Sequence, residues 1–301
     1  MLAQADQHHP DLGNALEHLL SSGGKRIRPA VALLTGSMLG ADIERLITLG
    51  AAIELLHTAT LVHDDLIDGA LLRRGITTLN AQWSPAATVL TGDFIFAQAA
   101  KLAAETNSVP VMHLFAETLA TIVNGEITQL FTSRGVASKD DYLRRIYAKT
   151  ASMFELATAA AALLSPADMV LVAQIRTFGY DIGMAFQIVD DILDFTGEQS
   201  TIGKPVGSDL RQGLFTLPAL LYFEVHPDDP DVVWIQSGKI SSDARLDRLV
   251  SSIRSSGVID QSLDEARRFV DCSLKILEKF PDCEEKSALV DLSNYIVSRS
   301  I

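Results

Sequence analysis

Residues 43–68 read IERLITLGAAIELLHTATLVHDDLID, and this stretch decides the fold. Apolar side chains recur at three- and four-residue steps from Ile43 to Ile67 with no proline among them, so the spacing predicts one helix of about seven turns. Its last turn changes character to Asp64-Asp65-Leu66-Ile67-Asp68. On a helix, positions i and i+4 project from one side, so Asp64 and Asp68 form an acidic face. The same spacing returns at Asp190-Asp191-Ile192-Leu193-Asp194, at the end of a second apolar stretch. Like charges so placed destabilise a helix by about 0.2–0.5 kcal/mol per pair, and an isolated run would read as a solvated helix end. Two runs of one spacing point instead to bound cations. Carboxylates that leave room for water and a substrate phosphate suit Mg2+. A calcium loop does not fit, because the alternating aspartates are absent after Asp64 and Gly75 stands where the closing Glu belongs.

Outward from these two runs, helical periodicity continues through residues 12–20, 30–39, 88–104, 111–130, 142–164, 169–193, 214–223, 244–253, 263–277 and 288–297. No stretch sustains the alternation of a strand. Ser165-Pro166 places a cap before a first-turn proline with Asp168 following, and Ser138 with Asp141 makes a similar box. Gly23-Gly24 closes the first helix and Pro29 opens the next. Residues 226–230 and 196–213, the latter with four glycines, are expected as loops. The fold expected is an all-α bundle with long central helices. With 301 residues, 48% hydrophobic and 21% charged, and no linker, the chain suits a single domain over residues 1–301.

A net charge of −13 argues against nucleic acid as a partner, so any anionic ligand needs a local basic pocket. Cys272 and Cys283 lack CxxC spacing and a nearby His pair, and read as free thiols in a reducing cytosol. The segment MLAQADQHHPDLG has neither a basic n-region nor an apolar core, so no secretory signal is expected, and the apolar run 156–164 is too short for a bilayer. A soluble, cytoplasmic protein is expected.

Basic residues gather at a few places. Gly23-Gly24-Lys25-Arg26-Ile27-Arg28-Pro29 puts three cations before a helix N-terminus, where free N–H groups and the dipole favour an anion; an ordinary solvated turn is the alternative. Arg73-Arg74 follow the first acidic run in the same loop, so a metal diphosphate could be held from both sides. His57 precedes Asp64 on the same helix, where a core histidine is the alternative. Lys149-Thr150 interrupt an apolar, small-residue helix, where Lys149 could instead snorkel.

Taken in order, GGKRIRP, LVHDDLIDGALLRRG, GEITQL, AKTAS, FQIVDDILDFTG and GKPVGSDLRQG resemble the motif set of the trans-isoprenyl diphosphate synthases. The resemblance covers residues 23–218. It implies an isoprenoid-synthase-like helical bundle with a deep central active-site cavity, usually a homodimer, that condenses isopentenyl diphosphate head to tail with an allylic diphosphate. It further implies that Asp64, Asp65, Asp68, Asp190, Asp191 and Asp194 hold Mg2+ on the allylic diphosphate. Lys25, Arg28, His57 and Arg74 would bind isopentenyl diphosphate; Arg73, Lys149, Thr150, Gln187 and Lys204 would hold the allylic partner. Asp64, Asp65, Asp68, Arg73, Lys149, Asp190 and Lys204 would carry the chemistry. Phe186, Gln187 and Thr150 would shield the allylic cation. One departure stands out: many members carry Lys after the glycine of the last motif, where this chain reads Gly213-Leu214.

Product length follows from what lies below the first acidic run. Ala59 and Thr60, five and four residues before Asp64, are both small, and the family's short-chain members carry an aromatic floor at the fifth position. Ala97, Ala100 and Ala104 are expected to extend the tunnel, with Phe115 as a deep floor beyond Leu119 and Ile122. Since a ~20-residue helix spans about 30 Å, a product of roughly 30 to 45 carbons is expected. Alternatively these alanines only permit close helix packing. Other readings are a farnesyl or geranylgeranyl diphosphate synthase, a terpene cyclase, whose second metal motif is Asn/Ser/Glu-rich, and a noncatalytic subunit of a heteromeric synthase. Release of so apolar a product adds the expectation of transient membrane contact.

Overall fold

The computed structural model describes residues 10–21, 23–73, 75–131, 138–197, 206–238 and 242–299. Two compact units emerge. The first comprises Met1–Ala116 and Ala157–Val172, the second Glu117–Leu156 and Ala173–Ile301.

In the first unit, α1 (Pro10–Ser21) and α2 (Ile27–Met38) precede α3 (Ile43–Ile67), the helix expected from the opening stretch. Asp42 caps α3 by accepting from Arg45 N–H at 3.0 Å, a bond worth about 1 kcal/mol. Leu46, Leu49, Ile53 and Leu56 of α3 are buried, Leu46 over Gly36 of α2, and α3 also packs along α5 (Pro85–Glu105), which starts on the Ser84 cap with Pro85 in its first turn. By length and composition α3 could cross a membrane, but more than half of its most apolar window is buried inside the protein, as befits a core helix. A short antiparallel pair, β1 (Leu72–Arg73) and β2 (Ile76–Thr77), turns at Gly75, whose φ of 77° an L side chain rarely adopts. This hairpin and the one-turn α4 (Leu79–Gln82) were not expected; both are too short to leave a periodic signal.

The helix α6 (Val109–Phe131) runs from the first unit's sequence into the second's. In the second unit α7 (Lys139–Ile146) begins with the expected reciprocal box of Ser138 and Asp141. A π-helical turn, Tyr147–Ala151, then leads into α8 (Ser152–Leu163). Every residue from Thr150 to Ala162 is buried, as the absence of a polar face requires. The helix α9 (Met169–Thr196) carries the second acidic run. Its cap is Asp168, which accepts from Leu171 N–H at 2.8 Å, whereas Ser165 accepts from Ala167 N–H in the preceding turn. The cap therefore lies three residues beyond the one expected, and the helix starts at Met169.

Then follow α10 (Ser208–Arg211), α11 (Leu217–Val225), α12 (Pro230–Gln236), α13 (Asp243–Ser255), α14 (Val258–Leu277) and α15 (Glu284–Ser298). Two expected loops are thus partly helical. Asp229 caps α12 where Pro230 sits at its start, and α10 occupies part of the glycine-rich stretch whose residues 198–205 lie outside those described. Leu246, Leu249, Val250 and Ile253 of α13, and Leu263, Ala266, Val270 and Leu277 of α14, form buried stripes at helical spacing.

Candidate functional site

The first acidic run occupies the last turn of α3. Asp64 is half-buried and Asp68 exposed, as expected for one side of the helix, while Asp65 is buried. Both Nε and a terminal nitrogen of Arg73 lie 2.8 Å from Asp65 Oδ1. The β1–β2 hairpin aims Arg73, and the loop before it is fixed at Ala70, whose carbonyl accepts from Thr78 Oγ1 at 2.6 Å and Asn80 Nδ2 at 3.0 Å. Arg73 was expected on the allylic diphosphate; here it is the partner of Asp65. Arg74 lies outside the described residues. His63, next to Asp64, sits over Gly92 of α5, so close that a Cβ at position 92 would force the imidazole to move.

Upstream, the Gly23–Arg28 loop takes positive φ at Gly23, Gly24 and Arg26. A left-handed arginine costs about 1–2 kcal/mol, and the ion pair of Arg26 with Glu54 on α3 offsets part of that cost. Arg26 is thus engaged with α3, while Lys25 is exposed in the loop and Arg28 is half-buried in the first turn of α2. Pro29 rests on Gly50 of α3, where an added Cβ would stand 3.4 Å from the proline ring. His57 is half-buried on α3. Ala59 is 0% exposed, whereas Thr60 is partly exposed and donates to the His57 carbonyl at 2.8 Å. The expectation that both face an open tunnel therefore separates: only Thr60 has space beside it. Phe115 is buried on α6. Ala97 and Ala104 are exposed and Ala100 half-buried, while the buried face of α5 carries Ile95, Ala99 and Ala103.

In the second unit the π-helical turn presents Lys149 and Thr150 on successive positions. Such turns are over-represented at functional sites because they shift side chains off the α register. Gly125 of α6 lets Ala148 approach, since an added Cβ would stand 2.6 Å from the alanine methyl. This brings Glu126 within 2.9 Å of Lys149 Nζ. From α9, Gly183 meets Ala151 equally closely, with an added Cβ only 2.6 Å from Ala151 Cα. One turn further along, Thr150 Oγ1 donates to Gln187 Oε1 at 2.6 Å. Gln187 Nε2 donates to Asp191 Oδ1 at 2.8 Å, and Tyr142 OH donates to Asp191 Oδ2 at 2.7 Å. Burial, reinforced by the charge of Asp209, pushes the Asp191 carboxyl up to about 8; burial and then Asp191 push the Tyr142 phenol up as well.

The remaining aspartates of this run have other partners. Asp194 accepts from Ser208 N–H and Oγ and from Asp209 N–H, so it holds the start of α10. Asp190 is 40% exposed and pairs at 2.8 Å with Arg299, which is 9% exposed just beyond α15. Arg299 also donates to the Phe186 carbonyl at 2.8 Å and stacks 4.1 Å above the Phe186 ring. Lys204 lies outside the described residues. Among those described, no three or more His, Cys, Asp or Glu side chains converge as a ready cage for a metal. Asp64, Asp68, Asp190 and Asp194 all reach solvent, Asp194 with both oxygens engaged by the start of α10, and all offer hard oxygen ligands.

Periodicity and spacing located the aspartates, Lys149 and Thr150, and the motif resemblance added Gln187. They missed Tyr142, Glu126 and Arg299, whose roles arise from tertiary approach. Only the GE pair at 125–126, a small residue beside a charge, hinted at one of these approaches.

A family model described as polyprenyl synthetase matches residues 9–251. The chain belongs to the polyprenyl synthetase family. It is 38% identical to heptaprenyl diphosphate synthase component 2 of Geobacillus stearothermophilus, over 96% of this chain and 90% of that one. It is 34% identical to octaprenyl diphosphate synthase of Haemophilus influenzae, over 100% and 92%. Among solved structures, the polyprenyl synthase of Caulobacter crescentus CB15, complexed with calcium and isoprenyl diphosphate, matches with a TM-score of 0.92 at 36% identity, over 100% of this chain and 93% of that one. The motif resemblance and the all-α isoprenoid-synthase fold both hold for this polyprenyl synthetase.

Proposed function

We propose that this polyprenyl synthetase condenses isopentenyl diphosphate with an allylic diphosphate, head to tail, to give an all-trans polyprenyl diphosphate of about 30 to 45 carbons. The observation that carries the reading is the pair of acidic runs, each on the last turns of a long helix, in a chain similar along its whole length to heptaprenyl and octaprenyl diphosphate synthases.

In this reading Asp64 and Asp68 of the first run and Asp190 of the second would hold Mg2+ through hard carboxylate oxygens, a donor type that fits that ion. When bound, it would supply positive charge to offset the charge of the departing diphosphate. Asp65, Asp191 and Asp194 instead hold the surrounding backbone and side chains in place. Lys149 fixes the allylic diphosphate as a charge already oriented by Glu126. Lys25, Arg28, His57 and Arg74 hold isopentenyl diphosphate, and Lys204 adds a cation for the allylic partner.

The allylic carbon–oxygen bond breaks with its electron pair going to diphosphate. The double bond of isopentenyl diphosphate then attacks the allylic carbon, and the released diphosphate takes the proton lost from the condensed product. Holding the two reactants together supplies much of the rate, and excluding water prevents quenching.

The test is incubation of the full chain with isopentenyl diphosphate, a labelled allylic primer and Mg2+. A ladder of linear products ending in a long chain supports the reading. A cyclic hydrocarbon, or a ladder that stops at geranylgeranyl diphosphate, overturns it. No turnover by the chain alone, restored by a second subunit, would make it one component of a heteromeric synthase, as the printed name of the Geobacillus stearothermophilus relative describes that protein.

A further inference from the structure

The buried chain of hydrogen bonds from Tyr142 to Thr150 has a direction, and the direction has a chemical meaning. An ionised carboxylate only accepts hydrogen bonds, and a neutral one still accepts at its carbonyl oxygen. Gln187 presents its NH2 to Asp191 Oδ1 at 2.8 Å. With Asp191 ionised, or neutral with its proton on Oδ2, turning the amide over would set two acceptor oxygens against each other, so Asp191 fixes which end of Gln187 faces Thr150. That end is the carbonyl, and Thr150 Oγ1 spends its single proton on it at 2.6 Å. The threonine oxygen then has only lone pairs to offer any further neighbour.

We propose that Tyr142 is a positioning residue which, through Asp191 and Gln187, holds the Thr150 oxygen with its lone pairs turned toward the allylic cation. This deepens the proposed function and rests on it. Tyr142 is completely buried at the far end of the chain, and its OH occupies Asp191 Oδ2 at 2.7 Å. With both carboxyl oxygens occupied, the carboxyl plane is fixed and so is the acceptor offered to Gln187. If the phenol donor is lost, the carboxyl can rotate to find another partner, since a buried oxygen without a donor is costly. Gln187 can then turn its NH2 toward Thr150. A hydroxyl freed in this way becomes a donor and turns its positive end toward the site of cation formation. The Thr150 main chain cannot compensate, because Gly183 lets α9 clamp the π-helical turn at Ala151.

The experiment compares wild type, Tyr142→Phe, Thr150→Val, Thr150→Ser and the Tyr142→Phe/Thr150→Val pair. It measures kcat, the KM of each substrate, the share of primer released as alcohol, and thermal stability. Tyr142→Phe should lower kcat about tenfold with the KM for isopentenyl diphosphate nearly unchanged, and should raise the alcohol share. Thr150→Ser should keep most of the activity. Thr150→Val should lose at least as much as Tyr142→Phe, and the double variant should be no worse than Thr150→Val alone. In crystals of Tyr142→Phe, Gln187 should have left its bond to Thr150.

A Tyr142→Phe protein with wild-type kcat, an intact Gln187–Thr150 bond, or losses that multiply in the double variant overturns the proposal. If Tyr142→Phe does not fold, Gln187→Leu breaks the chain at its middle and must show the same non-additivity with Thr150→Val; additive losses there overturn it equally. Failure of the wild-type protein to condense the two diphosphates identifies the functional reading itself as the point of failure.

Discussion

Ala59 and Thr60 are neighbours of similar size that the structure treats in opposite ways. Ala59 has no space beside it, so Ala59→Phe should cost about 1–3 kcal/mol by overpacking, visible as a lower thermal midpoint. Thr60→Phe has room for its ring, so it should shorten the product toward farnesyl or geranylgeranyl diphosphate with little loss of stability, as chain length of the extracted product will show. A long product from a stable Thr60→Phe protein would remove this residue from the path of the tail. The aspartates separate in the same manner. Asp68→Ala removes an exposed carboxylate and should reduce turnover without lowering stability, whereas Asp194→Ala deprives three donors of their acceptor and should cost about 1–3 kcal/mol. Equal stability of the two variants would refute this division. Residue identities at these positions were plain in the sequence. Burial was not, because helical phase decides it to within one residue and a periodic pattern defines the phase only coarsely.

The long helices were legible because a twenty-residue apolar stripe dominates any local preference. What escaped was everything set by tertiary approach: the π-helical turn, the Asp168 cap, α10 within the glycine-rich stretch, and the hairpin that aims Arg73. The helix α9 also buries a carboxyl that sequence reading passed over. Asp181 is buried, and burial pushes it up to about 6 from 3.8. The fold therefore binds this proton more tightly than the unfolded chain does, and the resulting stability is full below about pH 4 and is lost as pH rises through about 6. Asp181→Asn stays neutral throughout. Its thermal midpoint should match wild type near the acid end of that window and exceed it above neutrality; parallel stability curves from acid to neutral pH would count against the burial argument.

At the scale of the whole molecule, the order of motifs carried the family. The motifs could not show which surfaces are left for a partner. Val123, Ile127, Leu130 and Phe131 line one side of α6 at helical spacing and are all exposed, Phe131 at 84%. Such a stripe is the signature of a helix that meets another chain, and a second copy is the occupant the family resemblance implies. Ile127→Glu should therefore convert a dimer to a monomer in light scattering while leaving helix content unchanged. A wild-type monomer would transfer the stripe to a different subunit.

Arg299 gives the molecule an order of assembly in time. It reaches back 113 residues to the Phe186 carbonyl and, beside it, to Asp190. At about 5–20 residues per second, a ribosome that has just made the second acidic run needs on the order of ten seconds to make the arginine that steadies it. During that interval Asp190 lacks its guanidinium partner, so the last helix completes a catalytic half whose other parts were translated much earlier. Messages truncated within α15 would yield chains that carry every acidic motif yet lack the guanidinium beside Asp190.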